Sequence, residues 1–202
     1  AEAEADLREN DTKRQATLKK ITGLILSDRD FRYADFTNAR LPKVNFEGAN
    51  NKPSNLSYAN FSNAMLTNAR LNNTELLGAS LRWAKLQDAG LRSAKLQDAN
   101  LREAKLQGAN LLEVELQDAD LRWAKLQGAN FAKAKLQDAN LTGAKLQGTD
   151  LFRAELQGAN LSWAELQGAD LTSAKLQSAN LTGAKLQSAN LREAKLQGAD
   201  LS

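Results

Sequence analysis

The side chains that could do chemistry in this chain are carboxylates and lysines, because its 202 residues include no histidine and no cysteine. Histidine is the commonest general base and metal ligand, and cysteine supplies thiolate nucleophiles and ligands, so centres of both kinds are excluded. Asp98, Asp118 and Asp138 recur at one constant interval, with Glu115 nearby in the sequence. A fold that stacked these residues would bring together carboxylate oxygens, which are ligands for divalent cations.

A simpler alternative is that Lys95 and Lys135 neutralise these carboxylates, and we therefore predict no metal site and no cofactor. The sequence contains no glycine-rich phosphate loop, no catalytic dyad and no zinc-ligand spacing. We expect no catalytic residues and no enzymatic activity.

The structure that would position these side chains can be inferred from a repeat of five residues. From Phe31 to Leu201 every fifth residue is Leu or Phe in 34 of 35 positions, the exception being Asn51. A small residue, usually alanine, lies two positions before each of them. A fixed short period over this length indicates a repeat architecture.

Neither regular element can bury such a pattern along a straight axis. An α-helix turns about 500° over five residues, so the leucines would spiral around it, and a strand would present them on alternate faces. The chain must therefore bend once in every five residues to return each leucine to the interior. Asn, Asp, Gly and Ser at the outer positions are typical of tight turns.

Runs such as Ala99-Asn100-Leu101-Arg102-Glu103 and Ala119-Asp120-Leu121-Arg122-Trp123 resemble the pentapeptide repeat family over about residues 21–202. The resemblance implies an all-β fold, a right-handed quadrilateral β-helix of about eight to nine coils, each made of four five-residue units. In that fold the central Leu or Phe and the preceding Ala point inward, and the other three positions face water.

We predict two segments. Residues 1–20 are charged and lack the period, and they are predicted as an N-terminal segment with a short helix that caps the first coil. Residues 21–202 form the β-helix, interrupted where Asn51 takes a core position beside Pro53, which cannot donate to a ladder. We expect a bulge or a small loop there.

If four units make one coil, residues at the same place in successive coils would stack, which predicts outward columns of side chains. Trp83, Trp123 and Trp163 share one face in every second coil, and Arg82, Arg102 and Arg122 stack beside them. Exposed tryptophan is enriched at protein interfaces, so we predict an interaction ridge of these six residues. The alternative is a duplication of two coils in which each indole covers a neighbouring Arg stem or Gly.

Three further columns follow from the same spacing. Leu112 and Phe152, with Ala132 between them, make a candidate apolar patch for a dimer contact. Lys85, Lys105, Lys125 and Lys145 make a basic column, whereas Lys95, Glu115, Lys135, Glu155 and Lys175 alternate in sign on the opposite face. Glutamines at every tenth residue from Gln87 to Gln197 predict two ladders with hydrogen bonds between stacked amides.

These observations favour a non-catalytic scaffold or protein-interaction module with an unknown protein partner and no small-molecule substrate. Nucleic acid or an anionic membrane bound through the lysine column is the first alternative. Mimicry of DNA toward gyrase, known for some members of the family, is disfavoured by the net charge of +3 and the pI near 9.1.

The sequence leaves the compartment open, and we expect a cytoplasmic protein or the soluble domain of a membrane-tethered parent. The start without Met and the end at Ser202, inside a repeat, favour a fragment of a longer protein. The alternative is a chain whose end is closed by dimerisation, as a homodimer or by end-to-end association.

Overall fold

A computed structural model describes residues 25–47 and 53–202. These residues contain no helix, and their β-structure consists of single-residue bridges at every fifth position, from Ile25 to Asp200. Within residues 25–45 and 55–200, a two-residue turn separates each bridge from the next one along the chain. The predicted N-terminal segment 1–20 and its capping helix lie outside the described residues, as does Asn51.

All bridges between the described residues are parallel, and from Asn55 onward each joins residues four units apart, as Asn55 and Glu75 show. Eight successive bridges connect Ile25 with Asn190 through one column, so this part of the chain winds through eight complete coils. Each regular coil comprises four five-residue units with one turn in each, and it therefore has four sides. The predicted coil length is thus present in the backbone.

The first coils show where the repeat is interrupted. Ile25 bridges Asn45 at the usual interval, but Asp30 bridges Asn55 and Asn45 bridges Arg70, and both of these intervals are one unit longer. One five-residue unit between Asn45 and Asn55 is therefore extra to the coil. The interruption that the sequence predicts at Asn51 and Pro53 falls within this stretch, although the five-residue period continues through it.

From Phe31 onward, each described turn begins at the central Leu or Phe, whose carbonyl accepts a hydrogen bond from the amide of the small residue three positions later. Ala104 N donates to Leu101 O at 3.0 Å in this way. The second residue after the centre has a positive φ near +60°, as in a type II turn. Glycine meets this requirement at low cost, yet among the described residues 24 such positions hold other residues, including all three tryptophans.

From Asn100 to Asp200 every second bridge position holds Asn or Asp, and this ten-residue alternation has a local cause. At alternate bridges an Asn or Asp side-chain oxygen accepts the backbone amide two residues ahead, as Asn100 Oδ1 does from Arg102 N at 3.1 Å. Asp150 Oδ1 does the same for Phe152 N at 2.9 Å. These side chains satisfy amides that the coil-to-coil bonds leave free, which explains Asn and Asp at every tenth position.

The core is a continuous column of the central Leu and Phe residues and the small residues before them. From Leu41 to Leu181 these side chains are buried, including Val114, which replaces an alanine. Thr149 also replaces an alanine, and its hydroxyl donates to Leu146 O at 2.8 Å. At the first coils Phe36 stacks on Phe61, with ring centroids 4.7 Å apart.

The glutamine ladders lack the predicted bonds between amides among the described residues. Instead, Gln97 Nε2 donates to the Glu115 carboxylate and Gln137 Nε2 donates to Glu155, each at 2.6 Å. The prediction was wrong. For Gln97 and Gln137 a carboxylate one coil away is a stronger acceptor than a neighbouring amide, whereas the amide oxygens of others, such as Gln107 and Gln117, have no hydrogen-bond partner in the described part of the protein.

Candidate functional site

The three tryptophans stand on one edge of the coils, at the turn position with positive φ. Trp83, Trp123 and Trp163 are 40%, 53% and 64% exposed, respectively. The Trp123 indole lies over Gly143 in the next coil, and Trp163 lies over Gly183 in the same way. Trp83 is covered instead by the Arg82 guanidinium, 4.2 Å from the ring centroid. Each indole is therefore held on one side and open to solvent on the other parts of its surface.

The three arginines of the predicted ridge have different partners. Arg82 stacks on Trp83, and Arg102 Nε lies 3.5 Å from the carboxylate of its neighbour Glu103. Arg122 makes a two-point contact with Asp120, with Nε–Oδ1 2.9 Å and Nη2–Oδ2 2.6 Å. Burial raises the pKa of Asp120, but the hydrogen bonds from Arg122 outweigh it and hold that pKa below its ordinary value. Of these three arginines, Arg82 is the one whose guanidinium covers an indole.

An open groove of about 710 Å³ runs between the tryptophan column and the basic column. The tryptophan wall contributes Trp83, Glu103, Trp123 and Gly143, and the basic wall contributes Lys85, Lys105, Lys125 and Lys145. The sequence predicted these two columns as separate surface features. The structure makes them the two walls of one groove, because each lysine follows its turn residue by only two positions.

The opposite face carries the alternating column, and there the charges pair between coils. Lys135 lies 2.9 Å from Glu115, and Lys175 lies 2.6 Å from Glu155. The hydrogen bond from Lys135 lowers the pKa of Glu115, and the one from Lys175 lowers the pKa of Glu155, although burial opposes both shifts. The predicted cross-coil pairing is confirmed for this column.

Asp98, Asp118 and Asp138 follow one another in a single column and are exposed to solvent. The Glu115 carboxylate points to Lys135 and Gln97 and so does not join them. In residues 25–47 and 53–202 no group of three acidic side chains is arranged to hold a metal ion. The Asp138 carboxylate lies over Gly158, which gives it a packing role.

The candidate apolar patch is less exposed than a flat surface patch would be. Leu112 and Phe152 are half-buried, and Ala132 between them is buried. The Arg153 guanidinium covers part of the Phe152 ring, 4.9 Å from its centroid. The dimer contact at this patch stays a prediction.

Sequence reasoning missed an aromatic pair at the first coils. Tyr33 and Tyr58 are exposed and stack with ring centroids 5.3 Å apart. Their separation in the sequence is one unit longer than a regular coil, because the extra unit lies between them. Tyr58 in turn lies over Gly78, so an outward ring above a glycine one coil later is a recurring arrangement that the sequence could have revealed.

The residues that the structure describes form no helix, so they include no helical segment that could span a membrane.

The chain matches the family model described as pentapeptide repeats in eight copies, over residues 26–50, 54–92, 94–132, 115–152, 134–172 and 164–202. No curated protein sequence shows significant similarity to it.

Among solved structures, the chain is similar to HetL of the cyanobacterium Nostoc sp. strain PCC 7120, a pentapeptide repeat protein involved in the regulation of heterocyst differentiation. The identity is 34%, covering 91% of this chain and 92% of HetL with a TM-score of 0.54. The alr5209 pentapeptide repeat protein, also from Nostoc, is 48% identical over 37% of this chain and 62% of its own, with a TM-score of 0.37.

QnrB1, a plasmid-mediated fluoroquinolone resistance protein, is 22% identical over 90% of each chain, with a TM-score of 0.48. The family model covers most of the chain, and the 34% identity with HetL extends across nearly all of it. The chain therefore belongs to the pentapeptide repeat family.

Proposed function

We propose that this protein is a non-catalytic scaffold that binds a protein partner through its tryptophan edge. The observation that carries the proposal is the set of three partly exposed tryptophans at backbone positions with φ of 58° or 59°. A bulky residue rarely adopts this conformation, which disfavours L side chains by about 1–2 kcal/mol. Tryptophan is enriched among the residues that anchor protein interfaces, and these three indoles are open to solvent.

A rigid rod suits this role. The core is filled from Leu56 to Leu181, and backbone bonds join the coils that carry the tryptophans, so these side chains keep fixed intervals of two coils, about 10 Å. Right-handed winding, which is expected from the family, would set the direction in which these side chains lean. The composition, which lacks histidine and cysteine, supports a role without catalysis.

A capture experiment tests the proposal. Immobilised protein is compared with a triple variant, Trp83→Ala, Trp123→Ala and Trp163→Ala, in lysate of the source cells. A matched control carries Leu112→Ala and Phe152→Ala at the other candidate patch. We expect one or more proteins to be retained by the parent and the control and lost from the triple variant. Identical sets of captured proteins for all three forms would refute a role for the tryptophan edge.

DNA mimicry toward gyrase receives no support, because basic side chains line the groove beside the tryptophans and the net charge is +3. A supercoiling assay checks this directly: inhibition or protection of gyrase by the protein would contradict the proposal.

A further inference from the structure

The groove beside the tryptophans has two chemically different walls. One wall presents the indoles of Trp83 and Trp123, and the other presents the four ammonium groups of Lys85, Lys105, Lys125 and Lys145. The groove ends where the columns change, since the residue that follows Trp163 by two positions is Glu165, which pairs with Lys185 at 3.3 Å. The aromatic and basic walls therefore coincide only over these four coils.

The basic wall differs from the other lysine-bearing column in having no ion pairs with the described residues. Its four ammonium groups lie outside pairing distance of any carboxylate there, and Lys145 acts on Glu165 only at longer range. On the opposite face, by contrast, Lys95, Lys135 and Lys175 each pair with a glutamate. Like charges about 4.8 Å apart repel by about 1 kcal/mol in water. An anionic ligand would relieve this repulsion by supplying the charge that glutamates supply opposite.

The two walls also specify the shape of that ligand. Successive side chains of an extended strand point to opposite sides, so a strand along the groove would direct one set to the lysines and the other to the indoles. We propose that the groove binds an extended segment of a partner protein in which acidic and apolar residues alternate. This inference rests on the proposed function and adds the chemistry of the partner.

The dimensions agree with such a segment. Four lysines on successive coils span about 14 Å, and three acidic residues at alternate positions of a strand span about 13 Å. Single-stranded nucleic acid fits less well, because it uses successive aromatic platforms for successive bases. Here the two indoles are separated by a coil that presents Glu103 in place of an aromatic ring, so successive bases would lack a stacking platform.

A binding assay with fluorescent peptides tests the inference. The probe is a short peptide of alternating glutamate and valine, and its matched control has the same composition with the glutamates in one block and the valines in another. We expect saturable binding of the alternating peptide that weakens with added salt, and binding of the block peptide about fivefold weaker.

The variants locate the site. Lys105→Gln with Lys125→Gln should weaken binding about three- to tenfold, and Trp123→Ala should do so about tenfold. Two controls should leave it unchanged: Lys135→Gln with Lys175→Gln, which alters charge equally on the opposite face, and Tyr58→Ala, which removes an exposed ring outside the groove. Circular dichroism melts establish that each variant is folded.

Equal binding of both peptides, or equal losses in the control variants, would overturn the inference. Tighter binding of an oligothymidine strand, or of phosphatidylserine vesicles, would assign the groove to nucleic acid or to a membrane surface instead. No peptide binding, together with capture of a protein that depends on the tryptophans, would refute the groove ligand and leave the proposed function standing.

Discussion

The indole of Trp123 occupies the space that a side chain at Gly143 would need. Gly143 is buried beneath the ring and has a φ of +63°, and a β-carbon built on it would overlap the six-membered ring. We expect Gly143→Ala to displace the indole and to lower the free energy of unfolding by about 2 kcal/mol. Thermal melts and the tryptophan emission spectrum measure both effects.

Gly128 is the matched control for that change. Its φ is +66°, but no atom lies within 4 Å of the β-carbon that alanine would add. Gly128→Ala should therefore lower the free energy of unfolding only by the cost of placing alanine in the left-handed conformation, about 1 kcal/mol. It should leave the emission spectrum unchanged. Equal losses from the two substitutions would mean that the indole does not rest on Gly143.

Where a turn position with positive φ holds a residue other than glycine, substitution by glycine is predicted to stabilise the fold. Lys133 has a φ of 56°, and its ion pair with Glu113, 3.3 Å long, is exposed and so contributes little. Lys133→Gly should raise the free energy of unfolding by about 0.5 kcal/mol, since relief of the left-handed conformation outweighs the added chain entropy. Denaturant unfolding measures the change.

Ala132 precedes Lys133 in the same turn and has no positive φ, so Ala132→Gly should destabilise by about 1 kcal/mol. If both glycine substitutions destabilise equally, the turn does not have the assigned conformation.

The alanines of the core set the width of the coil. Ala119 and Leu121 are both fully buried. Ala119→Leu adds volume where no space exists and should destabilise by about 3 kcal/mol, whereas Leu121→Val removes one methylene and should cost about 1 kcal/mol. Thermal melts that rank the two variants the other way would contradict the inward packing of alanine.

The paired column predicts a loss of stability in acid. The hydrogen bond from Lys175 holds the pKa of Glu155 below its ordinary value, against the raising effect of burial. A carboxyl whose pKa is lower in the folded state stabilises above its unfolded pKa, about 4.3, and this contribution is lost as the pH falls through the folded pKa. We expect the melting temperature to fall as the pH is lowered below about 4.3.

A double-mutant cycle isolates the contribution of this pair. Glu155→Gln and Lys175→Met should each reduce the acid dependence, and the double variant should show no further reduction. The coupling at neutral pH should be about 0.5 kcal/mol because both side chains are partly exposed. Additive effects of the two substitutions would show that the pair does not interact.

Much of the backbone follows from the sequence alone. A period of five with a large apolar residue and a small one requires a bend in each unit, because neither a helix nor a strand can bury that pattern. The inward positions of Leu121 and Ala119 follow directly from it. Between Asn55 and Lys185 the units repeat the same backbone bonds, so one local rule, applied again and again, specifies these coils.

The contacts that the long outward side chains make are determined only by the tertiary structure. Asn51 and Pro53 predict an irregularity between Asn45 and Asn55, but only the bridges show that it amounts to one extra five-residue unit. Trp83 and Trp123 have equivalent places in the repeat, yet one packs against Arg82 and the other against Gly143. Long side chains have several rotamers of similar energy, so neighbours in adjacent coils select among them. For the same reason the lysine column and the tryptophan column become one groove only when the coils are stacked.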